Sequence, residues 1–286
     1  MAARSHRRAV LRARRRSHPW PRLKTIQRFA RRRWRETHTI LHAVSKTPPV
    51  TRALLSATLL VIVFLTVNWV YHAMTKPSEV FFPLDQSLGK NLTQSWEEYG
   101  PLFREHATAA ITPELLAALA QVESNGNPVA RTYWRWQWSV NPFTWYQPAS
   151  SAVGMFQLTD ATFQAARQYC IHNHHVAEDG PWHDRHSCWF NSLYTRVIPS
   201  HAIEMTAALL DRRVALELAS YPQATLKQKH NLAAVIHLCG AGAGHDFALR
   251  RFRLKLHQRC GDHDVRTYLT RVELLKEQFV KLKTKG

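Results

Sequence analysis

The sequence predicts an all-α fold in which a helical domain follows a single N-terminal transmembrane helix. Three observations lead to this prediction. A run from Ala53 to Thr75 contains no charged residue, a strongly basic segment precedes it, and apolar residues recur at helical spacing beyond it. Signals for strands are few, and the 45% share of hydrophobic residues is that of a globular protein.

The first 52 residues form a basic tail. They hold sixteen Lys or Arg and one acidic residue, Glu36, so most of the formal net charge of +19 lies here. A segment with so few large apolar residues buries too little surface to offset its ordering entropy, and we predict that residues 1–52 are disordered. Because the charge is concentrated in a tail rather than on a folded face, we expect contact with anionic lipid and not with nucleic acid.

The apolar run at 53–74 has the length of a membrane anchor. About 20 apolar residues span a bilayer, and Trp69 and Tyr71 lie near the far end, where aromatic residues favour the interface. The positive charge before the run predicts a cytoplasmic N-terminus and a C-terminal domain on the other side. A buried core helix and a cleaved signal peptide are the alternatives. Residues 75–95 are predicted to form a linker.

Four cysteines lie beyond the apolar run, Cys170, Cys188, Cys239 and Cys260. An even number in an exported domain predicts two disulfides, for which three pairings exist. Short loops favour Cys170–Cys188 with Cys239–Cys260, although the sequence alone leaves the pairing open. The histidines in this first loop, among them His186, offer an alternative zinc site, but their spacing matches no standard ligand pattern and no metal is expected.

Residues 96–286 are predicted to form the helical domain. One helix has clear end signals, with Thr112 as N-cap, Pro113 at its first position, and Asn125 and Gly126 after its end. Other helices are predicted at 160–169, 199–218, 226–238, 246–257 and 265–282, and an aromatic-rich loop at 131–150. Aromatic side chains suit sugar, lipid or protein contacts, and the sequence does not choose among them.

Glu123 is the leading candidate for a catalytic residue. It shares a helix face with Leu116 and Leu119 and lies at the helix C-terminus, so partial burial and the helix dipole both disfavour its charged form. A carboxyl group that stays protonated can act as a general acid on a glycosidic oxygen. Spacing alone, however, describes a solvated glutamate at a helix end equally well.

Three short motifs decide between these two interpretations. Residues 122–128 have the sequence VESNGNP, residues 151–159 SAVGMFQLT, and residues 236–242 IHLCGAG. In this order they resemble the Glu-Ser-x-x-Asn-Pro, Gly-Ala-x-Gly-Leu-Met-Gln-Ile and Ala-Tyr-Asn-Ala-Gly-Pro-Gly segments of the soluble lytic transglycosylase family. Each motif is weak by itself, but the ordered set makes residues 96–270 similar to that family.

The resemblance implies a lysozyme-like helical fold that acts on peptidoglycan glycan strands in the periplasm, anchored in the bacterial inner membrane. It implies that Glu123 alone cleaves the β-1,4 bond between N-acetylmuramic acid and N-acetylglucosamine. The carboxyl would protonate the leaving oxygen and then deprotonate the muramoyl 6-hydroxyl, giving a 1,6-anhydromuramoyl end without a cofactor. Substrate contacts are implied for Ser124, Gln157, Met155, Phe156 and His237.

The third motif departs from the family at two positions. His237 stands where the family has the Tyr that hydrogen-bonds the catalytic carboxyl, and Leu238 stands where it has Asn. Histidine can donate a similar bond, but its charge varies with pH. Two alternatives therefore stay open: a hydrolytic lysozyme-like muramidase, and a weakly active glycan-binding component of an envelope machine.

Overall fold

The computed structural model describes residues 47–81, 85–184 and 187–284. The chain divides into two compact units, Met1–Val67 and Asn68–Gly286. Most of the predicted basic tail, residues 1–46, lies outside the described residues, as do residues 82–84 of the predicted linker and His186 of the alternative zinc site.

Helix α1, Pro49–Thr75, is the one helix among the described residues that is long and apolar enough to cross a membrane. At 1.5 Å per residue it measures about 40 Å, more than the hydrocarbon thickness of about 30 Å. Apolar side chains along its first part, such as Leu54, Leu60 and Ile62, are exposed. A helix in the core of a soluble domain would be buried, so this exposure argues against that alternative.

The end of α1, from Asn68 onward, belongs to the second unit and packs on the aromatic-rich loop. The Asn68 amide donates a hydrogen bond to the Tyr146 carbonyl oxygen at 2.6 Å, and His72 Nε2 lies 2.9 Å from the Phe143 carbonyl oxygen. The Tyr71 ring stacks on Phe143. Since Asn68 and His72 are both buried, this end of the helix is part of the folded domain.

Residues 75–95, for which a linker is predicted, are folded in part of their described range. Two 3-10 helices lie in the segment, Pro77–Phe81 and Asp85–Leu88. The fully buried Glu79 carboxylate accepts hydrogen bonds from Arg131 Nη1 at 2.9 Å and from Trp134 Nε1 at 2.8 Å. Lys76 Nζ lies 3.4 Å from the other oxygen of this carboxylate. The segment is held because separating a buried ion pair leaves uncompensated charge in the interior.

The predicted all-α class is confirmed by the helices that follow. They are α2 Leu92–Glu105, α3 Pro113–Ser124, α4 Asp160–Ala166, α5 Pro199–Leu218, α6 Leu226–Cys239, α7 Ala241–Leu249 and α8 Val265–Lys283. Helix α2 begins before Trp96 because Asn91 and Gln94 form a capping box, each side chain accepting the other's backbone N–H.

Helix α3 lies at the centre of this domain. Thr112 caps its start, Pro113 occupies its first turn, and Asn125 ends it in the left-handed conformation at φ +53°, as predicted. From Glu114 to Gln121 every residue is buried, since α3 packs against both α2 and α8. A helix that is covered on all sides is rigid, and it provides a fixed base for the residues at its C-terminal end.

Three short hairpins lie between the helices, and two of the predicted helices end earlier than expected. The strands are β1 Trp134–Trp136, β2 Tyr146–Pro148, β3 Tyr169–His172, β4 His175–Glu178, β5 Arg259–Cys260 and β6 His263–Asp264, paired as β1–β2, β3–β4 and β5–β6. The helix predicted at 160–169 stops at Ala166 because β3 begins at Tyr169. The helix predicted at 246–257 is instead α7, which ends at Leu249 before Arg251 and Phe252 adopt positive φ.

The four cysteines are paired as the shorter loops favour. Cys170 in β3 is bonded to Cys188, and Cys239 at the end of α6 is bonded to Cys260 in β5. Within the described ranges, no group of three or more His, Cys, Asp or Glu side chains is arranged to hold a metal ion.

Candidate active site

Glu123 lies in the last turn of α3, directly before the left-handed cap. Its side chain is 17% exposed, so the carboxyl group stands in the wall of the domain with one edge open to solvent. The fully buried helix behind it restricts its position. A reacting group on such an element is held more closely than one on a loop.

Tyr268 is a site residue that sequence analysis missed. Its hydroxyl, on α8, donates a hydrogen bond to Glu123 Oε1 at 2.6 Å. Burial, and after it the charge of Glu123, raises the pKa of Tyr268 well above its usual value, so this hydroxyl stays protonated and remains a donor. The spacing of Tyr268 with the buried Val265 and Val272 was a usable signal, because it puts a hydroxyl on the apolar face of α8.

His237 approaches the same carboxyl oxygen from α6. Its Nε2 lies 3.6 Å from Glu123 Oε1, which is too long for a good hydrogen bond. Burial lowers the pKa of His237 and outweighs the opposing charge of Glu123, so the ring is neutral near pH 7. The short bond that the resemblance led us to expect from residue 237 is therefore made by Tyr268.

The second carboxyl oxygen of Glu123 has a different environment. Among the described residues Oε2 makes no hydrogen bond, whereas Oε1 faces both Tyr268 and His237. Within the described chain, Glu123 is the one carboxylate whose charge affects the pKa of both His237 and Tyr268. One oxygen is thus held in place while the other is free to exchange a proton with a substrate.

Ser124 connects α3 to the second motif. Its hydroxyl lies 2.9 Å from the Met155 carbonyl oxygen and 3.2 Å from that of Ala120, and it can donate to one of them at a time. Because the hydroxyl proton is already hydrogen-bonded within the protein, the predicted contact between Ser124 and glycan would use the hydroxyl oxygen as an acceptor.

The loop at 151–159 turns sharply, so that Gln157 faces a cavity while Met155 and Phe156 point into the core. Gly154 and Gln157 have φ values of +81° and +47°. The Gln157 amide donates to the carbonyl oxygens of Gly154 at 2.9 Å and Ala130 at 3.2 Å, and the residue lines a surface cavity. The turn directs Met155 and Phe156 into the core, where their exposed fractions are 0% and 1%. That these two side chains form an apolar cleft wall stays a prediction.

The cavity has a volume of about 260 Å³ and contains no acidic side chain among its lining residues. Arg213 on α5 lines it, half-buried, and forms neither an ion pair nor a hydrogen bond with any described residue, whereas the adjacent Arg212 pairs with Glu178 at 2.6 Å. The wall therefore combines apolar side chains with polar groups and one cationic side chain. The lining residues are Gln157, Leu158, Thr159, Thr162, Thr206, Leu209, Leu210, Arg213, Ile236, His237, Leu238 and Gly240.

A buried helix thus presents one glutamate next to His237, which also lines the cavity. Residues 101–218 match the family described as Transglycosylase SLT domain, and this match supports a lytic transglycosylase-like, lysozyme-like domain in this part of the chain. The matched range includes Glu123 and Gln157 and ends before His237 and Tyr268. No curated protein and no solved structure matches the chain.

Proposed function

We propose that this protein is a membrane-anchored lytic transglycosylase that cleaves the β-1,4 bond between N-acetylmuramic acid and N-acetylglucosamine. The observation that carries the proposal is the asymmetric environment of the Glu123 carboxyl group. Oε1 accepts the Tyr268 hydrogen bond, and Oε2 is left for proton transfer. A single carboxyl with one free oxygen suits a reaction in which the same residue acts first as acid and then as base.

The reaction follows from these two states of Glu123. The protonated carboxyl gives its proton to the glycosidic oxygen as the bond to the anomeric carbon breaks. The resulting carboxylate takes the proton of the muramoyl 6-hydroxyl, whose oxygen forms the new bond to the anomeric carbon. No water is consumed, and Glu123 ends protonated as it began. A two-carboxylate layout, as in most glycosidases, is not required for this sequence of steps.

Tyr268 also weakens the case for a weakly active glycan-binding component of an envelope machine. That alternative was based on His237 and Leu238, which replace the Tyr and Asn of the family motif. The hydroxyl bond to the catalytic carboxyl is nevertheless present, supplied from α8. Loss of the Asn leaves an apolar side chain in the cavity wall, which changes substrate contacts without removing the acid/base group.

The test is digestion of purified peptidoglycan by the full chain in detergent, with the products treated with borohydride before mass analysis. Anhydromuramoyl ends resist reduction, whereas a hydrolytic muramidase produces reducible ends. Glu123→Gln should lower release by about 10²–10⁴-fold or more, because an amide cannot transfer the proton. Gln157→Ala should cost less, since this residue transfers none. Glu114→Gln, on the same helix, is the matched control and should retain release.

These outcomes separate the alternatives. Reducible ends that depend on Glu123 would favour the muramidase. No release by a folded wild-type protein that binds glycan would favour the binding component. Near-wild-type release by a folded Glu123→Gln protein would show that the mechanism is wrong.

We further propose that α1 anchors the protein in the inner membrane, with its N-terminus in the cytoplasm and the SLT domain in the periplasm. The exposed apolar side chains of α1 and the basic residues before it support this topology. A periplasm-dependent reporter fused to the C-terminus should be active. Activity of a reporter that works only in the cytoplasm would contradict the orientation.

A further inference from the structure

The hairpin at 134–148 carries large apolar side chains that nothing in the domain covers. Trp136, Trp138 and Val140 are exposed to 68%, 94% and 102% of their full areas. We call these three residues the aromatic tip. Among the described residues, Trp138 and Val140 are the most exposed large apolar side chains, and exposed apolar groups that lie together on one element mark an interaction surface.

The hairpin is held against the end of α1 at several points. Trp134, at the start of β1, packs edge-on against His72, with ring centroids 5.1 Å apart. The Tyr146 carbonyl oxygen accepts the Asn68 hydrogen bond at 2.6 Å, and the Phe143 ring stacks on Tyr71 at 4.7 Å. The hairpin as a whole therefore lies beside residues 68–72.

The position of the bilayer edge follows from the charges that flank α1. Arg52 is the last charged residue before the apolar run. A hydrocarbon core of about 30 Å corresponds to about 20 helical residues at 1.5 Å each, so the far edge falls near His72. The hairpin, which lies beside residues 68–72, is therefore expected at this edge of the bilayer.

We propose that the aromatic tip inserts into the interfacial region of the outer leaflet, forming a second membrane contact beside α1. The inference rests on the proposed membrane anchoring by α1. Indole rings favour this region because their apolar faces meet acyl chains while their N–H groups remain near water. The exposed Arg135 between the two strand tryptophans is suited to lipid phosphate. The Asn68 amide, which would be costly within a bilayer, has its partner in the same hairpin.

The experiment uses the full chain reconstituted in phosphatidylcholine–phosphatidylglycerol vesicles whose acyl chains carry bromine, a short-range quencher of indole fluorescence. Trp138 is the most exposed tryptophan of the hairpin, so Trp138→Phe should lower the quenched intensity. Trp182→Phe is the matched control, because Trp182 is 78% exposed but lies outside the hairpin. It should leave the quenched intensity unchanged.

Each result has a defined meaning. Protein that floats with the vesicles and loses no quenching in Trp138→Phe would overturn the inference while leaving the anchor in place. Protein that does not float at all would remove the anchor itself, and with it the reason for a lipid contact. Protection of Trp138 by added glycan strands, without quenching by brominated lipid, would assign the aromatic tip to substrate and would also overturn the inference.

Discussion

Replacing Tyr268 by Phe removes one hydroxyl group and leaves the buried ring in place. That hydroxyl is the donor at 2.6 Å from Glu123 Oε1, so the variant frees the carboxyl that we propose as the acid/base group. A hydrogen bond to a charged group contributes about 1.5–3 kcal/mol, and each 1.4 kcal/mol corresponds to about a tenfold change. If this energy is used to orient Glu123, turnover should fall about 10- to 100-fold.

The assay is the initial rate of anhydromuramoyl release from soluble glycan strands over a range of strand concentrations. Tyr268 acts through Glu123 and does not touch the substrate, so the turnover number should fall while KM changes little. Tyr194→Phe is the matched control, because its hydroxyl donates a bond of similar length, 2.7 Å, to the buried Glu204 outside the active site. This control should lower the melting temperature without lowering the turnover of the folded enzyme.

Equal turnover for Tyr268→Phe and wild type, at equal melting temperature, would refute the reasoning. It would mean that the packing of α3 alone positions Glu123 and that the Tyr268 bond is incidental. A rise in KM with unchanged turnover would assign Tyr268 to substrate binding instead.

Two other predictions concern stability. Burial lowers the pKa of His230 to about 4, so between about pH 6.5 and pH 4 the unfolded chain binds more protons than the native one. Acid should therefore destabilise the protein over this range, by at most about 3 kcal/mol. In thermal melts, His230→Gln should make the melting temperature depend less on pH. A side chain at Gly154 would need a Cβ 2.2 Å from the Arg196 carbonyl oxygen at a φ of +81°, so Gly154→Ala should lower the melting temperature strongly. Gly242→Ala, with nothing within 4 Å, is its control and should be neutral or stabilising.

Helix ends with local signals could be predicted from the sequence. Thr112, Pro113 and Asn125 act through bonds within a few residues of their own positions, so α3 was predicted with its correct ends. The same applies to α5, which begins at Pro199. The segment before α2 has polar and apolar residues in no clear period, so its structure could not be predicted from local signals. That structure depends on the contact of Glu79 with Arg131, which is 52 residues away.

The candidate site shows the same contrast between local signals, which can be read from the sequence, and distant contacts, which cannot. Glu123 and Gln157 could be identified because each stands in a short motif. For Tyr268 the sequence shows only that it lies on the apolar face of α8; its partner is 145 residues away, and only the packing of α8 on α3 brings the two together. The side to which Met155 and Phe156 point was equally hidden, because two positive-φ residues in the turn decide it.

The Cys239–Cys260 bond bears on the compartment in which the site around Glu123 can form. It joins the end of α6, which carries His237, to the hairpin that leads directly into α8 and Tyr268. Both neighbours of the Glu123 carboxyl are therefore attached to a single covalent loop closure. A newly made chain in a reducing compartment lacks this closure. We therefore expect the site around Glu123 to be completed only when this disulfide forms. That step follows synthesis and requires an oxidising compartment.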